Sequence, residues 1–331
     1  MPARCPGGVA QGAISRPEIS VFASGAAMIS QEAREAFERL VAEQAGPQLP
    51  LAQRRRAWEA AARLTVLPRD ARFSQADADG VPAEWMDMPR VWRDRVLILM
   101  HGGGFVAGSP RTHRRLAANL GRMTHMRVLT PDYRLAPEQP FPAAVQDGLR
   151  AYGWLLRQGV EATNIMLCGD EAGANLVMGM LLALRRAKAR LPRAAMLISP
   201  WVDLSCAGAS FGAMRQRDPV VRRPALLEMG GLYAGRLSVE EPFVSPLKAD
   251  LAGLPPLLIH VGANEVLLDD ARGLAERVRA AGGEVALRIF DGMWHAFHTA
   301  GTGVPEARQA IDEMGSFARG QFARGGDTGP E

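Results

Sequence analysis

The most constraining feature of this sequence is a regular alternation of short apolar segments and helical patterns. The segment 95–100 is apolar after its first residue, as expected of a strand buried on both faces. Eight candidate strands lie at 72–76, 82–88, 95–100, 127–130, 165–168, 194–198, 257–261 and 284–289. Helical patterns lie near 112–123, 141–157, 174–187, 269–281 and 305–320. We predict an α/β fold with a mostly parallel, doubly wound sheet, whose ligands bind at the carboxyl ends of the strands.

Two further helices are predicted before the first strand. Ser30 can cap a helix in which Ala33 and Phe37 fall on one face, and a second helical stretch covers about 51–64. These helices either pack as core or form part of a lid over a site.

The predicted organisation is one core with a small helical cap. The stretch at about 205–236 interrupts the strand and helix alternation and is rich in Met, Arg and Gly, so it is a candidate for a second part of the lid. The predicted boundaries are a flexible leader at 1–29, cap helices at 30–68, the core at 69–323 and a polar tail at 324–331.

Charge and cysteine content restrict the partners and the compartment. The 331 residues carry a net charge of +4 with scattered arginines, so we expect no nucleic-acid partner. Cys5, Cys168 and Cys206 form no zinc or disulfide pattern, which favours a reducing cytoplasm. No apolar run reaches the roughly 18 residues of a membrane span, so we expect a soluble protein without a membrane partner. The sequence contains no metal, nucleotide or flavin motif, and we expect no cofactor.

The pentapeptide Gly-Asp-Glu-Ala-Gly at 169–173 lies between a predicted strand and a predicted helix. This is the layout of the nucleophile elbow, G-x-S-x-G, in which a sharp turn lifts the central side chain over the edge of a sheet. The central residue is expected to be Ser, but here it is Glu171. Cys168 should point into the packed surroundings of the strand, and Ser205 has no elbow, so neither replaces the missing serine.

A run of three glycines follows the strand at 95–100, in the sequence His-Gly-Gly-Gly-Phe at 101–105. Successive glycines let the backbone approach a ligand closely and direct N–H groups towards it. This is what an oxyanion hole requires, because developing negative charge must meet donors that are already in place.

These motifs resemble those of the bacterial hormone-sensitive lipase family, whose members are α/β-hydrolase carboxylesterases. The resemblance covers roughly residues 70 to 320. The matching segments are HGGGF at 101–105, DYRLAPE at 132–138, PFPAA at 140–144, GDEAG at 169–173, SPWVDL at 199–204, the segment 262–270 and DGMWHAF at 291–297. The resemblance implies an α/β-hydrolase fold, a small-molecule ester or acyl-type ligand, and oxyanion donors at Gly102, Gly103 and Ala172. Dimerisation is common in that family, and the sequence neither supports nor excludes a homodimer.

The resemblance also implies which residues complete the catalytic machinery. His295 follows the last predicted strand, where the catalytic histidine of this fold belongs, and His298 is the alternative. The acid matches Glu265, at the start of the loop after the strand at 257–261, whereas Asp269 and Asp270 are better interpreted as charges at a helix N-terminus. Glu265 would orient His295 and stabilise its protonated form.

The remaining histidines receive structural interpretations. His101 should brace its loop, and His260 should lie in a strand. His113 and His125 are expected at the surface.

Glu171 changes the expected chemistry. A carboxylate is a poor nucleophile towards unactivated esters, and its product would be a high-energy anhydride, so serine-esterase turnover should be severely reduced. The side chain of Glu resembles an acylated serine atom for atom, so one carboxylate oxygen could occupy the oxyanion hole. Donors there and a protonated His295 would favour the ionised form.

Three functional alternatives follow. The protein is a hydrolase that has lost its nucleophile and binds acyl-type ligands, or Glu171 acts as a carboxylate nucleophile or general base in other chemistry, or the protein is an interaction module on a hydrolase scaffold. We expect Phe105, Met293 and Trp294 to line an apolar substrate pocket.

Overall fold

The computed structural model describes residues 29–44 and 49–324. The predicted leader up to residue 28 and the predicted tail from residue 325 lie outside the described residues. In the described part of the chain, no helix combines the length and the apolar character needed to cross a membrane.

Eight strands form one sheet in the order β1-β2-β4-β3-β5-β6-β7-β8. Their bounds are β1 (Arg72–Asp77), β2 (Pro82–Asp87), β3 (Trp92–Met100), β4 (Met126–Pro131), β5 (Ile165–Asp170), β6 (Ala194–Ile198), β7 (Leu257–Gly262) and β8 (Val285–Phe290). β2 pairs antiparallel with β1 and β4, and the other neighbours pair in parallel. The predicted sheet is therefore confirmed.

The α-helices found in the described residues agree with the predicted alternation. Their bounds are α1 (Gln31–Gln44), α2 (Leu51–Leu64), α3 (Arg114–Thr124), α4 (Ala143–Arg157), α5 (Ala172–Arg186), α6 (Ser210–Ala213), α7 (Arg223–Ala234), α8 (Leu268–Ala280) and α9 (Pro305–Ala323). Helices α6 and α7 lie in the segment predicted to interrupt the core.

Alternate residues of β3 face opposite sides of the sheet. Leu97 and Leu99 pack in a cluster with α3 and α9, whereas Ile98 and Met100 pack with α4, α5 and α8. Since helices cover both faces, the inner strands are apolar at successive positions, which is the pattern that predicted them.

The turn between β5 and α5 consists of one residue, Glu171. Its backbone has φ 52° and ψ −114°, a conformation that costs a non-glycine residue about 1–3 kcal/mol. The end of β6 holds this turn in place, because the Glu171 N–H donates to the Ile198 carbonyl at 2.9 Å and the Glu171 carbonyl accepts from the Trp201 N–H at 3.2 Å. The side chain of Glu171 is thus presented at the carboxyl edge of the sheet.

The two glycines of the pentapeptide allow close packing of α5 against the strand ends. A Cβ atom on Gly173 would overlap the carbonyl of Met100, and one on Gly169 would overlap the backbone of Gly173. A side chain at either position would therefore displace the helix that follows Glu171.

We expect Gly173→Ala to lower the free energy of unfolding by about 1–3 kcal/mol, the usual cost of overpacking a core. Gly320→Ala in α9 is the matched control, because a Cβ atom there meets nothing within 4 Å, and it should raise stability by about 0.5–1 kcal/mol. Urea denaturation of both variants measures the difference. Equal stabilities would contradict the close contact between α5 and β3.

The two N-terminal helices, α1 and α2, differ in how deeply they are buried. The Oγ of Ser30 accepts from the Ala33 N–H at 3.1 Å, as predicted for a helix cap. The buried face of α1 packs with Trp294 and Phe297, so α1 belongs to a core cluster.

Helix α2 has no buried residue in the described structure and lies beside the glycine run. The guanidinium of Arg55 donates to the carbonyl oxygens of Val106 at 2.6 Å and Ala136 at 2.7 Å, and pairs with Glu138. Met229 of α7 also lies close to the glycine run, because a Cβ atom on Gly104 would overlap its Sδ. The role of these segments as a lid stays a prediction.

Candidate active site

The structure brings together the predicted acid and histidine. His295 follows β8, and its Nδ1–H donates to Glu265 Oε2 at 3.0 Å. Glu265 is fully buried in the loop after β7, and His295 is 5% exposed. The pair has the geometry that orients an imidazole for proton transfer at its other nitrogen.

A serine that sequence reasoning did not assign a role supports this pair. Ser199 Oγ donates to Glu265 Oε1 at 2.9 Å and accepts from the Ala296 N–H at 3.0 Å. The Gly262 N–H donates to the same oxygen of Glu265. Ser199 directly follows β6, so its position at a strand end was the signal that could have identified it.

The charges around His295 favour its protonated form. Burial lowers the pKa of His295, but the hydrogen bond and charge of Glu265 outweigh it, and the charges of Glu171 and Asp218 add to the effect, raising the pKa from 6.5 to about 9. At neutral pH the imidazole is therefore charged, with Glu265 as the main cause and Glu171 as a smaller one.

The carboxylate of Glu171 is bound by two backbone amides of the glycine run. The N–H groups of Gly103 and Gly104 donate to Glu171 Oε2 at 2.7 Å and 3.0 Å. No described residue donates to Glu171 Oε1. Oε2 thus has the environment of an oxyanion.

The donors differ from the predicted set by one position in the glycine run. The N–H of Gly102 turns away and donates to Asp170 Oδ1 at 3.0 Å, so Gly104 takes the place expected of Gly102. The positive φ values of Gly103 (122°) and Gly104 (62°) direct the later amides to Glu171. Ala172, the third predicted donor, is the first residue of α5.

The prediction of His113 as a surface residue is wrong. His113 is 8% exposed, and its Nε2 lies 3.3 Å from Asp170 Oδ2. His101 braces its loop, because it stacks on Tyr133 with ring centroids 4.1 Å apart and its Nδ1–H donates to the Gly102 carbonyl.

His298, the alternative catalytic histidine, lies elsewhere in the core. It is fully buried, and its Nε2 lies 3.2 Å from Nδ1 of His260, which is in β7 as predicted. Burial lowers the pKa of His260 to about 3 and that of His298 well below 6.5. The rings of His260 and His298 therefore form a neutral pair. Glu265 is hydrogen-bonded to His295 and not to His298.

We expect the free energy of unfolding to fall between about pH 6.5 and pH 3 because of this pair. In that window the unfolded chain binds protons at His260 and His298 and the folded chain does not, so each contributes a loss of up to about 1.4 kcal/mol per pH unit. Urea denaturation at about pH 7 and about pH 5 measures the slope. His298→Gln should make it shallower than in the parent, and an unchanged slope would contradict the assignment.

The three predicted pocket residues are buried in packed clusters. Phe105 stacks on Tyr233 of α7 with ring centroids 3.8 Å apart, and Trp294 packs against Phe37 of α1 at 5.7 Å. Met293 joins the same cluster as Trp294. They do not line an open pocket, because Tyr233 of α7 covers Phe105 and the buried face of α1 packs with Met293 and Trp294.

The other residues considered as a catalytic acid or nucleophile make contacts that stabilise the fold. Asp269 and Asp270 lie in the first turn of α8, and Asp270 accepts from the amides of Val202 and Asp203. Burial raises the pKa of the Cys168 thiol, and Ser205 Oγ donates to Asp203. Among the described residues, no group of three His, Cys, Asp or Glu side chains could hold a metal ion.

Comparison with known proteins finds the same fold and related enzymes. A family model described as an alpha/beta hydrolase fold matches residues 97–299. An acetyl-hydrolase of Streptomyces hygroscopicus is 42% identical over 264 residues, which cover 80% of this chain and 87% of that protein. An esterase of Acinetobacter venetianus is 36% identical, covering 68% of this chain and 74% of that protein. The crystal structure of an esterase from the bacterial hormone-sensitive lipase family superposes with a TM-score of 0.86 at 41% identity, covering 89% of this chain and 99% of that one.

Proposed function

The chain belongs to the bacterial hormone-sensitive lipase family of α/β-hydrolases, and we propose that it is an ester-hydrolase scaffold whose ordinary serine-esterase turnover is severely reduced. Glu171 stands where the elbow should present a nucleophilic serine. The observation that carries the proposal is the binding of Glu171 Oε2 by the amides of Gly103 and Gly104.

Two consequences of this contact oppose ester hydrolysis. An incoming ester carbonyl needs the same two N–H donors, so it must displace a carboxylate from them. Attack by the carboxylate on an ester would also form an anhydride, which is higher in energy than the starting ester. The proposed ligand is therefore a small ester or acyl-type molecule that binds with little turnover, in the cytoplasm and without nucleic acid, membrane or cofactor.

A second candidate function is favoured by Glu171 Oε1, to which no residue in the described part of the chain donates a hydrogen bond. This oxygen could attack a saturated carbon, with the leaving group departing with its bonding electrons, to give an alkyl ester of Glu171 whose carbonyl oxygen remains Oε2 in the donor site. The ester carries no charge, so the pKa of His295 would fall and the neutral imidazole could take a proton from water. Water would add to Cδ, release an alcohol and restore the carboxylate.

Hydrolysis of a short-chain nitrophenyl ester by the parent and by Glu171→Ala tests the proposal. We expect neither the parent nor Glu171→Ala to hydrolyse the ester at a detectable rate. A parent that turns the ester over and loses activity in Glu171→Ala would show that the carboxylate is catalytic, and reduced ester hydrolysis would then be the wrong conclusion. For the second candidate, turnover of an alkyl halide or epoxide in ¹⁸O-water must label the peptide that contains Glu171.

A further inference from the structure

A buried carboxylate and a buried histidine lie directly beneath the glycine run. Asp170 is the last residue of β5, and its Oδ2 lies 3.3 Å from Nε2 of His113. Asp170 and His113 are 4% and 8% exposed. A buried carboxylate needs a partner, since an uncompensated buried charge is strongly destabilising.

Asp170 contacts the first glycine of the run through its other oxygen. Oδ1 accepts from the Gly102 N–H at 3.0 Å, and a Cβ atom on Gly102 would overlap this carboxylate. The backbone therefore leaves Gly102 in a fixed direction, and the next two amides reach Glu171 Oε2. Asp170 at the end of β5 therefore fixes the amides that donate to Glu171, the residue that directly follows it.

His113 is the basic side chain that pairs with Asp170. Its Nδ1–H donates to Thr112 Oγ1 at 2.8 Å, so both ring nitrogens are engaged. Burial lowers the pKa of His113, but the charge and hydrogen bond of Asp170 outweigh it and raise the pKa, with a further increase from the charge of Glu171.

Of the other titratable groups around this pair, His295 carries a positive charge that also lowers the pKa of Asp170, whereas the two nearest rings are neutral. The ring centroid of His101 lies 5.4 Å from that of His113, and burial together with the charge of His113 lowers the pKa of His101 to about 3. Tyr133 stacks on His101, and burial raises its pKa well above 10. His101 and Tyr133 are therefore neutral near pH 7.

We propose that His113 is a positioning residue, which acts through Asp170 to hold the amides of Gly103 and Gly104 in their donating geometry. His113 Nε2 lies 3.3 Å from Asp170 Oδ2 and also 3.3 Å from the Gly102 nitrogen, and Asp170 Oδ1 accepts from the Gly102 N–H at 3.0 Å. The imidazole and the carboxylate thus meet at Gly102, and the backbone runs from there to the two donors. Loss of the His113 ring leaves Asp170 without this partner and free to rotate, which misplaces the donors without removing them.

Hydrogen exchange of the Gly103 and Gly104 amides in the full chain tests this without any catalytic assay. His113→Gln should speed their exchange by about 10- to 100-fold, the range expected when the support of a buried hydrogen bond is lost. His125→Asn is the matched control, since His125 lies at the left-handed C-terminus of α3, where Asn is tolerated, and should leave the exchange unchanged. Equal exchange in both variants would overturn the proposal.

A double-mutant cycle separates positioning from general destabilisation. Asp170→Asn keeps an acceptor for the Gly102 N–H but removes the charge, so His113→Gln should have no further effect on the exchange in that background. Additive effects of the two changes would overturn the proposal. If these variants do not fold, an NMR titration of the parent tests the same coupling. The chemical shift of the Gly102 amide should follow the titration of the His113 ring. Independent titrations of the two groups would overturn the proposal.

A kinetic measurement rests on the proposed function. In the Glu171→Ser background, His113→Gln should lower kcat for a nitrophenyl ester by about 10- to 100-fold with little change in KM, because the misplaced amides serve the transition state. A change in KM alone would contradict the assignment. If Glu171→Ser itself is inactive, the proposed function fails, and the exchange experiment still tests His113 separately.

Discussion

Glu171→Ser is expected to hydrolyse a short-chain nitrophenyl ester about 10⁴- to 10⁶-fold faster than the parent, the range lost when the nucleophile of a serine hydrolase is removed. The substitution empties the donor site at Gly103 and Gly104 and places a hydroxyl on the strained turn. It also removes one of the charges that raise the pKa of His295, so a larger fraction of the imidazole is neutral near pH 7 and able to accept the serine proton.

Two controls separate the roles of the hydroxyl and the vacated site. Glu171→Ala opens the donor site without supplying a nucleophile, and it should stay near the parent. His295→Ala in the Glu171→Ser background should remove most of the gained activity, because the serine then has no base. Equal activity of Glu171→Ala and Glu171→Ser would contradict a nucleophilic role for the hydroxyl.

The strands could be predicted because their signals are local, and each inner strand is apolar at successive positions. Glu265 and His295 were assigned from the resemblance to the hormone-sensitive lipase family, because several carboxylates and a second histidine lie nearby in the sequence. The turn at Glu171 was also predictable, since Gly169 and Gly173 stand where the close contacts of α5 leave no room for a side chain.

The features that sequence reasoning missed depend on contacts between distant residues. His113 lies among arginines in the sequence and resembles a surface residue, but folding places Asp170 against it across 57 positions of the chain. The donor set shifted by one glycine because amide direction depends on the φ of Gly103 and Gly104, which composition does not specify.

The geometry of Glu171 resembles an intermediate of the reaction that the scaffold would otherwise perform. Its carboxylate has one oxygen on the two amides, as an acylated serine would, and it raises the pKa of His295 as a developing negative charge would. The donors and the histidine are therefore arranged for charge at this position whether or not turnover occurs.

Glu265→Gln in the Glu171→Ser background is expected to lower kcat by about 10⁴-fold, as replacement of the buried acid by its amide does in a serine protease. Glu265 accepts from His295 Nδ1–H, whereas the amide nitrogen of Gln would donate to Nδ1 and force the proton onto Nε2. The imidazole would then have no lone pair directed at the serine.

The same substitution in the parent gives a result that does not depend on activity. Glu265 supplies the hydrogen bond and the largest of the charges that raise the pKa of His295, so NMR titration of Glu265→Gln should find this pKa well below about 9. The charged imidazole contributes fully to the free energy of unfolding below about pH 6.5, and this contribution is lost as the pH rises through about 9. In Glu265→Gln the free energy of unfolding should not show this decrease. Asp269→Asn is the matched control, because Asp269 lies in the first turn of α8, accepts from the Ser210 N–H of α6 and is not among the groups that raise the pKa of His295. An unchanged His295 titration in Glu265→Gln would mean that another group holds the proton, and the acid would have to be reassigned.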